Sequence, residues 1–235
     1  MRIASRAPIQ RTSIRAWLVC LGCGLALFTV MGLGVNAFTV YQPHLLHIHG
    51  FTNAQGSWIT TVRSLFALLS MLTVDRLCRR LGLRNTMLLG MGCFVISYLL
   101  FGFAHSFPAY CGGAVLSGLA YGYGGMIPLT LVISRWFATG RGFALGMAAA
   151  GSGISTIFAP PLITRAIQTM GLPAAFLWEA ASGVLLTLLV FLLVRDSPDC
   201  PESQNTAAPV SGIQGTRLGH PFLWMMLLAA FLTGG

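Results

Sequence analysis

A series of long apolar runs constrains the fold of this chain more than any other feature of its sequence. Each run holds about 20 residues or more, which is the length that an α-helix needs to cross the roughly 30 Å hydrocarbon core of a bilayer. Six runs are predicted to be membrane-spanning helices, called spans 1 to 6, at residues 16–41, 55–74, 85–104, 109–136, 141–168 and 174–194. The pattern predicts an all-α integral membrane protein surrounded by the lipid bilayer.

The segments outside these runs predict the domain organisation. Residues 1–15 form a basic tail, 16–194 a six-helix transmembrane domain, and 195–220 a polar loop rich in Pro, Ser and Gln. A seventh apolar run occupies 221–235 and is too short to span a bilayer comfortably. We therefore expect the N-terminal half of a larger protein, with a truncated seventh helix and a missing C-terminal half.

The composition supports a membrane protein and disfavours several functions. Only 8% of the residues are charged, against about 25% in a soluble domain. The net charge of +9 does not indicate a nucleic-acid partner, because the arginines lie in the connections between apolar runs. His44, His47 and His49 are expected in a solvated outer loop, without the carboxylate or thiol that a metal site would add. Cys20 and Cys23 lie inside span 1, where packing explains them better than redox chemistry. No metal and no cofactor is predicted.

The arginines predict how the chain lies in the membrane. Twelve of the fourteen fall on one side if the N-terminus is cytoplasmic: Arg2, Arg6, Arg11, Arg15, Arg76, Arg79, Arg80, Arg84, Arg135, Arg141, Arg195 and Arg217. An excess of basic residues on the cytoplasmic side is typical of membrane proteins. We therefore expect a cytoplasmic N-terminus, in a plasma or inner membrane.

The basic turn predicted at 73–84, between spans 2 and 3, carries the most specific motif. It resembles the loop motif G-x-L-x-D-R-x-G-R-R of the major facilitator superfamily at four positions: Asp75, Arg76, Arg79 and Arg80. Met71, Thr73 and Cys78 stand where the motif has Gly, Leu and Gly. The resemblance implies a six-helix N-terminal half with a 3+3 inverted repeat. It also implies that the four matching residues form a conformational latch for the outward-facing state, although topology alone would also explain Arg79 and Arg80.

A second resemblance lies in spans 4 and 5. The run R-W-F-x-x-x-R-G-x-A-L-G, which starts at Arg135, is similar to the branch of that superfamily that carries monocarboxylates and oxalate or formate. Two glycine pairs with a spacing of four residues occur here: Gly118 with Gly122, and Gly142 with Gly146. Small residues at this spacing let helix backbones approach closely, so these glycines are predicted to mediate helix packing.

Arg63 is the sharpest single-residue hypothesis, because it lies well inside span 2. A cation at that depth is costly unless it faces a wet cavity or a carboxylate. Arg63 is expected either to bind an anionic substrate or to pair with Glu179 of span 6; Arg165 could take Glu179 instead. Tyr121 and Tyr123 are further candidates for polar groups of a substrate cavity.

These residues predict a secondary active transporter that works by alternating access and moves a small solute. The resemblance indicates an organic anion such as a monocarboxylate, carried by symport or antiport, with protons as the candidate coupling ion. An exporter of drugs or amphipathic compounds is the alternative within the superfamily. A non-transporting scaffold or receptor is the alternative from another class. An enzyme is not expected, because the spans offer only Glu179 as an acidic group and no catalytic cluster.

Overall fold

The computed structural model describes residues 14–137 and 140–194, and the chain is helical almost throughout that part. The helices are Ile14–Leu27, a π-helix at Phe28–Asn36, Phe38–His49, Asn53–Leu81, Leu83–Phe103, Phe107–Gly124, Met126–Trp136, Arg141–Met170 and Leu172–Leu193. The predicted tail up to residue 13, the polar loop and the seventh run lie outside the described residues.

Six helical stretches are long and apolar enough to cross a membrane. They are Arg15–Ile48, Asn53–Leu81, Leu83–Phe103, Phe107–Trp136, Arg141–Met170 and Leu172–Leu193, and they keep the names spans 1 to 6. The prediction of an all-α membrane protein with six spans is confirmed. Span 1 joins two α-helices through the π-helix, and span 4 joins two helices at Gly125.

Span 1 is longer than the apolar run predicted. Its last helix continues from Phe38 to His49 and ends at Gly50, which has a φ of 63°. The predicted outer loop is therefore wrong for His44 and His47, which lie on the helix. Glycine adopts this left-handed conformation without a steric penalty, so the helix ends at Gly50. The polar histidines that precede Gly50 do not end the helix.

Span 2 also continues further, to Leu81. The motif residues Asp75 to Arg80 lie in its last turns, and only Gly82 separates span 2 from span 3, so the predicted basic turn at 73–84 is mostly helix. Arg79 and Arg80 in the last turn favour this extension, because cations stabilise the negative end of a helix dipole.

Small residues bring the spans together. In span 4, a Cβ added at Gly118 would overlap the carbonyl oxygen of Arg63, and one at Gly122 would overlap the side chain of Ser70. Spans 3 and 4 approach in the same way at Gly90, where an added Cβ would overlap the backbone of Gly124. Such close backbone approach is typical of packed membrane helices.

Two apolar clusters fill the interior. One contains Tyr41, Tyr98, Phe101 and Phe176, and the other contains the buried thiols Cys20 and Cys23 with Met87, Met91 and Leu129. The Cys20 thiol donates to the carbonyl oxygen of Ala144, 3.4 Å away. The cysteine pair therefore lies in a packed interface between spans.

We expect Gly118→Ala to destabilise the fold, because its Cβ would push spans 2 and 4 apart. Overpacking of this kind costs about 1–3 kcal/mol. The apparent melting temperature of the detergent-solubilised protein measures the effect. Gly112→Ala, in the same span, is the matched control, since nothing lies within 4 Å of its added Cβ. Equal melting temperatures for the two variants would contradict the close contact.

Candidate functional site

The π-helix of span 1 is the local irregularity around which the candidate site is built. At its end the Ala37 N–H donates to the carbonyl oxygen of Gly32, 3.1 Å away, which is a bond across five residues instead of four. Gly32 and Gly34 lie within the segment, and side chains of other spans approach both. Segments of this kind expose backbone groups to new partners and occur frequently at functional sites.

Two side chains from other spans bind the carbonyl groups of this segment. The Tyr98 hydroxyl of span 3 lies 2.9 Å from the oxygen of Leu33 and 3.3 Å from that of Gly34, so its one proton is shared between them. The Arg63 guanidinium of span 2 donates to the same Gly34 oxygen through Nη1, at 3.4 Å. Spans 1, 2 and 3 therefore meet at one carbonyl group.

Arg63 is held by neutral groups. Its guanidinium carbon lies 5.0 Å from the centre of the Phe38 ring, and the phenols of Tyr98 and Tyr121 are close enough to interact with it electrostatically. The side chain is half-buried, and among the described residues no carboxylate forms an ion pair with it. A guanidinium has five N–H donors, so most of them remain available to an anion.

Polar groups of spans 1 and 5 continue this face of the bundle. The Asn36 side-chain amide donates to the Thr156 hydroxyl across 2.7 Å, and both side chains are at least partly exposed. Phe38, Tyr98 and Thr156 were not identified from the sequence, because tyrosine, phenylalanine and threonine are ordinary residues of apolar helices. Tyr98 and Arg63 meet at the Gly34 carbonyl group of the π-helix, and no periodic pattern in the sequence signals that segment.

Glu179 lies apart from this face. It is only 1% exposed, and neither of its carboxyl oxygens has a hydrogen-bond partner among the described residues. No described ion pair joins it to Arg63 or to Arg165, so neither of the two alternative pairings considered from the sequence forms among the described residues. Arg63 bonds to a backbone carbonyl, and Arg165 is exposed on span 5.

The remaining candidates are distributed over other parts of the bundle. The Tyr123 hydroxyl bonds to that of Thr73 across 3.0 Å. Of the two tyrosines, Tyr121 is the one that interacts electrostatically with Arg63. Gly118 and Gly122 lie in the contact between spans 2 and 4. An added Cβ at Gly142 or Gly146 would have no neighbour within 4 Å, so the predicted close packing is absent there among the described residues.

The four motif residues Asp75, Arg76, Arg79 and Arg80 are all exposed. Asp75 accepts a hydrogen bond from Arg79 one turn later, at 2.6 Å, while 77% of the Arg79 side chain and 63% of the Asp75 side chain are exposed. A pair this exposed contributes little to stability, so Asp75 and Arg79 can both exchange it for another charged partner.

Arg84, just after the motif, has a structural contact that the sequence did not suggest. Its Nη2 donates to the carbonyl oxygen of Phe191 across 2.8 Å, and its guanidinium lies 4.4 Å from the centre of the Phe191 ring. Phe191 belongs to the last turn of span 6, where carbonyl groups lack helical donors. Arg84 therefore joins the start of span 3 to the end of span 6.

Comparison with known proteins places this architecture in a family. The chain matches the Major Facilitator Superfamily over residues 21–235, which is most of its length. The chain belongs to this superfamily. The resemblance stated from the motif is thereby confirmed.

Individual relatives are transporters of several kinds. The MFS-type transporter pynF of Aspergillus niger is 26% identical over 208 residues, which cover 84% of this chain and 46% of the relative. The oxalate:formate antiporter of Oxalobacter formigenes is 26% identical over 153 residues, or 65% and 36% of the two chains. The arabinose-proton symporter of Bacillus subtilis is 26% identical over 216 residues, or 87% and 44%.

The chain spans about half the length of the curated relatives it matches. Taken with the six spans, the family match identifies an integral membrane protein of this superfamily.

We expect Tyr98→Phe to destabilise the π-helix, because it removes the hydroxyl that serves two buried carbonyl groups. An unsatisfied buried polar group costs about 1–3 kcal/mol. Hydrogen–deuterium exchange should become faster within Phe28–Asn36, and the apparent melting temperature should fall. Tyr123→Phe is the control, since the bond it loses is exposed and water can replace it. Unchanged exchange in Tyr98→Phe would show that the hydroxyl does not stabilise the segment.

Proposed function

We propose that this chain belongs to a secondary active transporter that carries a small organic anion, such as a monocarboxylate, by alternating access. The observation that carries the proposal is Arg63: a half-buried guanidinium, about 15 Å along span 2 at 1.5 Å per residue, with no carboxylate partner among the described residues. An intramembrane cation is retained where it faces a polar cavity or a ligand.

The surroundings of Arg63 suit a planar anion. Gly34 and Phe38 hold the guanidinium from one side and satisfy only part of its donors. Tyr121 adds a hydroxyl group beside it, and the Asn36–Thr156 pair lies on the neighbouring spans. A carboxylate can accept two parallel hydrogen bonds from a guanidinium, and this geometry is among the strongest polar contacts. Glu179 is too deeply buried to belong to this surface in the described conformation.

The exposed motif at the end of span 2 supports a conformational role. Asp75, Arg76, Arg79 and Arg80 are exposed and bound weakly or not at all by their own helix, so they are available to a second half of the transporter. In this proposal they latch the outward-facing state through charge pairs at the helix ends. The close contact of spans 2 and 4 at Gly118 would make these spans move as one unit.

We expect Arg63→Ala to reduce anion uptake by about tenfold to a hundredfold. This is the effect of losing a charge-assisted hydrogen bond of about 1.5–3 kcal/mol. Uptake of labelled oxalate, formate and lactate into vesicles that contain the intact gene product measures it. Arg63→Lys should retain part of the activity, because it keeps the charge but not the two parallel bonds.

Arg165→Ala is the matched control, because Arg165 is exposed on span 5 and should not affect uptake. Equal uptake by wild type and Arg63→Ala would remove Arg63 from the substrate site. If the wild type transported none of these anions but expelled an amphipathic dye, the exporter alternative would replace the anion carrier.

The proposed orientation places the N-terminus and the end of span 2 in the cytoplasm. In a cysteine-free background, His47→Cys at the end of span 1 should react with a membrane-impermeant maleimide in intact cells. Leu81→Cys at the end of span 2 should react only after permeabilisation. Both side chains are exposed, so access depends on the side of the membrane. The reverse pattern would overturn the orientation.

A further inference from the structure

Glu179 is a buried carboxyl group that the substrate surface does not use. It lies in span 6, about 10 Å from the start of that helix, and is 1% exposed. Both carboxyl oxygens are fully buried, and the nearby Tyr41 hydroxyl donates to the Ala175 carbonyl oxygen instead of to them, so neither has a hydrogen-bond partner among residues 14–137 and 140–194.

Three spans pack against span 6 around this group. Span 1 contributes Tyr41, and span 3 contributes Tyr98; both phenols are close enough to interact electrostatically with Glu179. Span 5 contributes the apolar Ile163 and Ile167 to the same cluster. Its Arg165 is exposed and forms no ion pair with Glu179. No cation therefore faces the carboxyl group from the described parts of these spans.

A carboxylate without a cation or hydrogen-bond donors is very costly in an apolar interior. One proton removes the charge and gives the group an O–H donor. A metal cation such as sodium would need about six oxygen ligands. Besides its own two oxygens, the carboxyl group has the Tyr41 hydroxyl and the Ala175 carbonyl in its surroundings. The proton is therefore the ligand that this site fits.

We propose that Glu179 is the proton-binding residue of this half of the transporter. The inference rests on the proposed transport function and assigns it a coupling ion and a position. The carboxylate takes up one proton from one side of the membrane and holds it while buried. It releases the proton when a change of conformation admits water, so no other bond is made or broken.

A chain of contacts connects Glu179 to the substrate surface. The Tyr41 hydroxyl donates to the Ala175 carbonyl oxygen at 3.3 Å, one helical turn before Glu179, and its ring stacks on Phe176 at 4.2 Å. Tyr41 meets Tyr98 with ring centres 6.4 Å apart. Tyr98 in turn shares the Gly34 carbonyl with Arg63. Tyr98 is thus the residue that interacts with both Glu179 and Arg63.

Infrared spectroscopy of the reconstituted protein tests the protonation directly. The wild type should show the carbonyl stretch of a protonated, apolar-buried carboxylic acid near neutral pH. The band should be lost in Glu179→Gln and shifted in Glu179→Asp. Asp75→Asn is the control that should leave it unchanged, because Asp75 is exposed and ion-paired. A wild type without this band, or a band that survives Glu179→Gln, would overturn the proposal.

Transport assays separate proton coupling from transport itself. With an inward pH gradient of one unit and one proton per monovalent anion, the wild type should accumulate formate or lactate up to about tenfold. Glu179→Gln should equilibrate the anion without accumulation, while it still exchanges labelled for unlabelled anion. Ser182→Ala, one turn away, should accumulate like the wild type, because it loses only a bond to the main-chain carbonyl oxygen of Glu179 and leaves the carboxyl group unchanged.

The outcomes distinguish the two proposals. Accumulation by Glu179→Gln would overturn the proton site and leave the anion carrier intact. Accumulation driven by a sodium gradient at equal pH would also overturn it. Absence of uptake and exchange of these anions in the wild type would instead contradict the proposed function. If Glu179→Gln does not reach the vesicles, the Glu179→Asp variant provides the test. This variant should still accumulate the anion, but with an altered pH dependence. An unaltered pH dependence would contradict the proton site at Glu179.

Discussion

The lack of hydrogen-bonding solvent inside a bilayer is the constraint on which the rest of this structure depends. Each backbone N–H and C=O group in the spans needs a partner from the protein, and regular helices supply nearly all of them. The π-helix at Phe28–Asn36 departs from that solution, and side chains of other spans compensate for it. Tyr98 and Arg63 bind the carbonyl groups of Leu33 and Gly34 there. The irregular segment therefore recruits the one cation of span 2 that lies deep in the helix.

Close packing between the spans also fixes the positions of these polar side chains. Gly118 allows span 4 to lie directly against the backbone of Arg63, and Gly32 allows Ser155 of span 5 to approach the π-helix. Side chains in such contacts have little freedom, so a guanidinium or a phenol there keeps its position without an ion pair. This explains how Arg63 is positioned by a carbonyl and an aromatic ring alone, and why Glu179 can stay enclosed among Tyr41, Tyr98 and Phe176.

The sequence predicted the coarse architecture well, because the length and hydropathy of a span follow directly from the thickness of the bilayer. The motif at Asp75 and Arg76 was sufficient to suggest the superfamily. Helix ends were predicted less well, since Gly50 and Gly82 stop their helices by conformation and not by polarity. The environments of Arg63 and Glu179 depend on the π-helix and on contacts between distant spans. The alternative that paired Arg63 with Glu179 rested on charge alone, and the two residues form no ion pair among the described residues.

The π-helix has a geometric consequence for span 1 as a whole. Because each of its turns holds extra backbone, the helix beyond Ala37 is rotated about its own axis relative to a regular α-helical continuation. Converting one π turn to an α turn would rotate the Phe38–His49 segment and redirect Phe38, Tyr41 and His44 together. A ligand that draws the Arg63 guanidinium away from Gly34 would remove one of the contacts that hold the present register. The rotation of the Phe38–His49 segment about its axis thus depends on the contacts at the carbonyl group of Gly34.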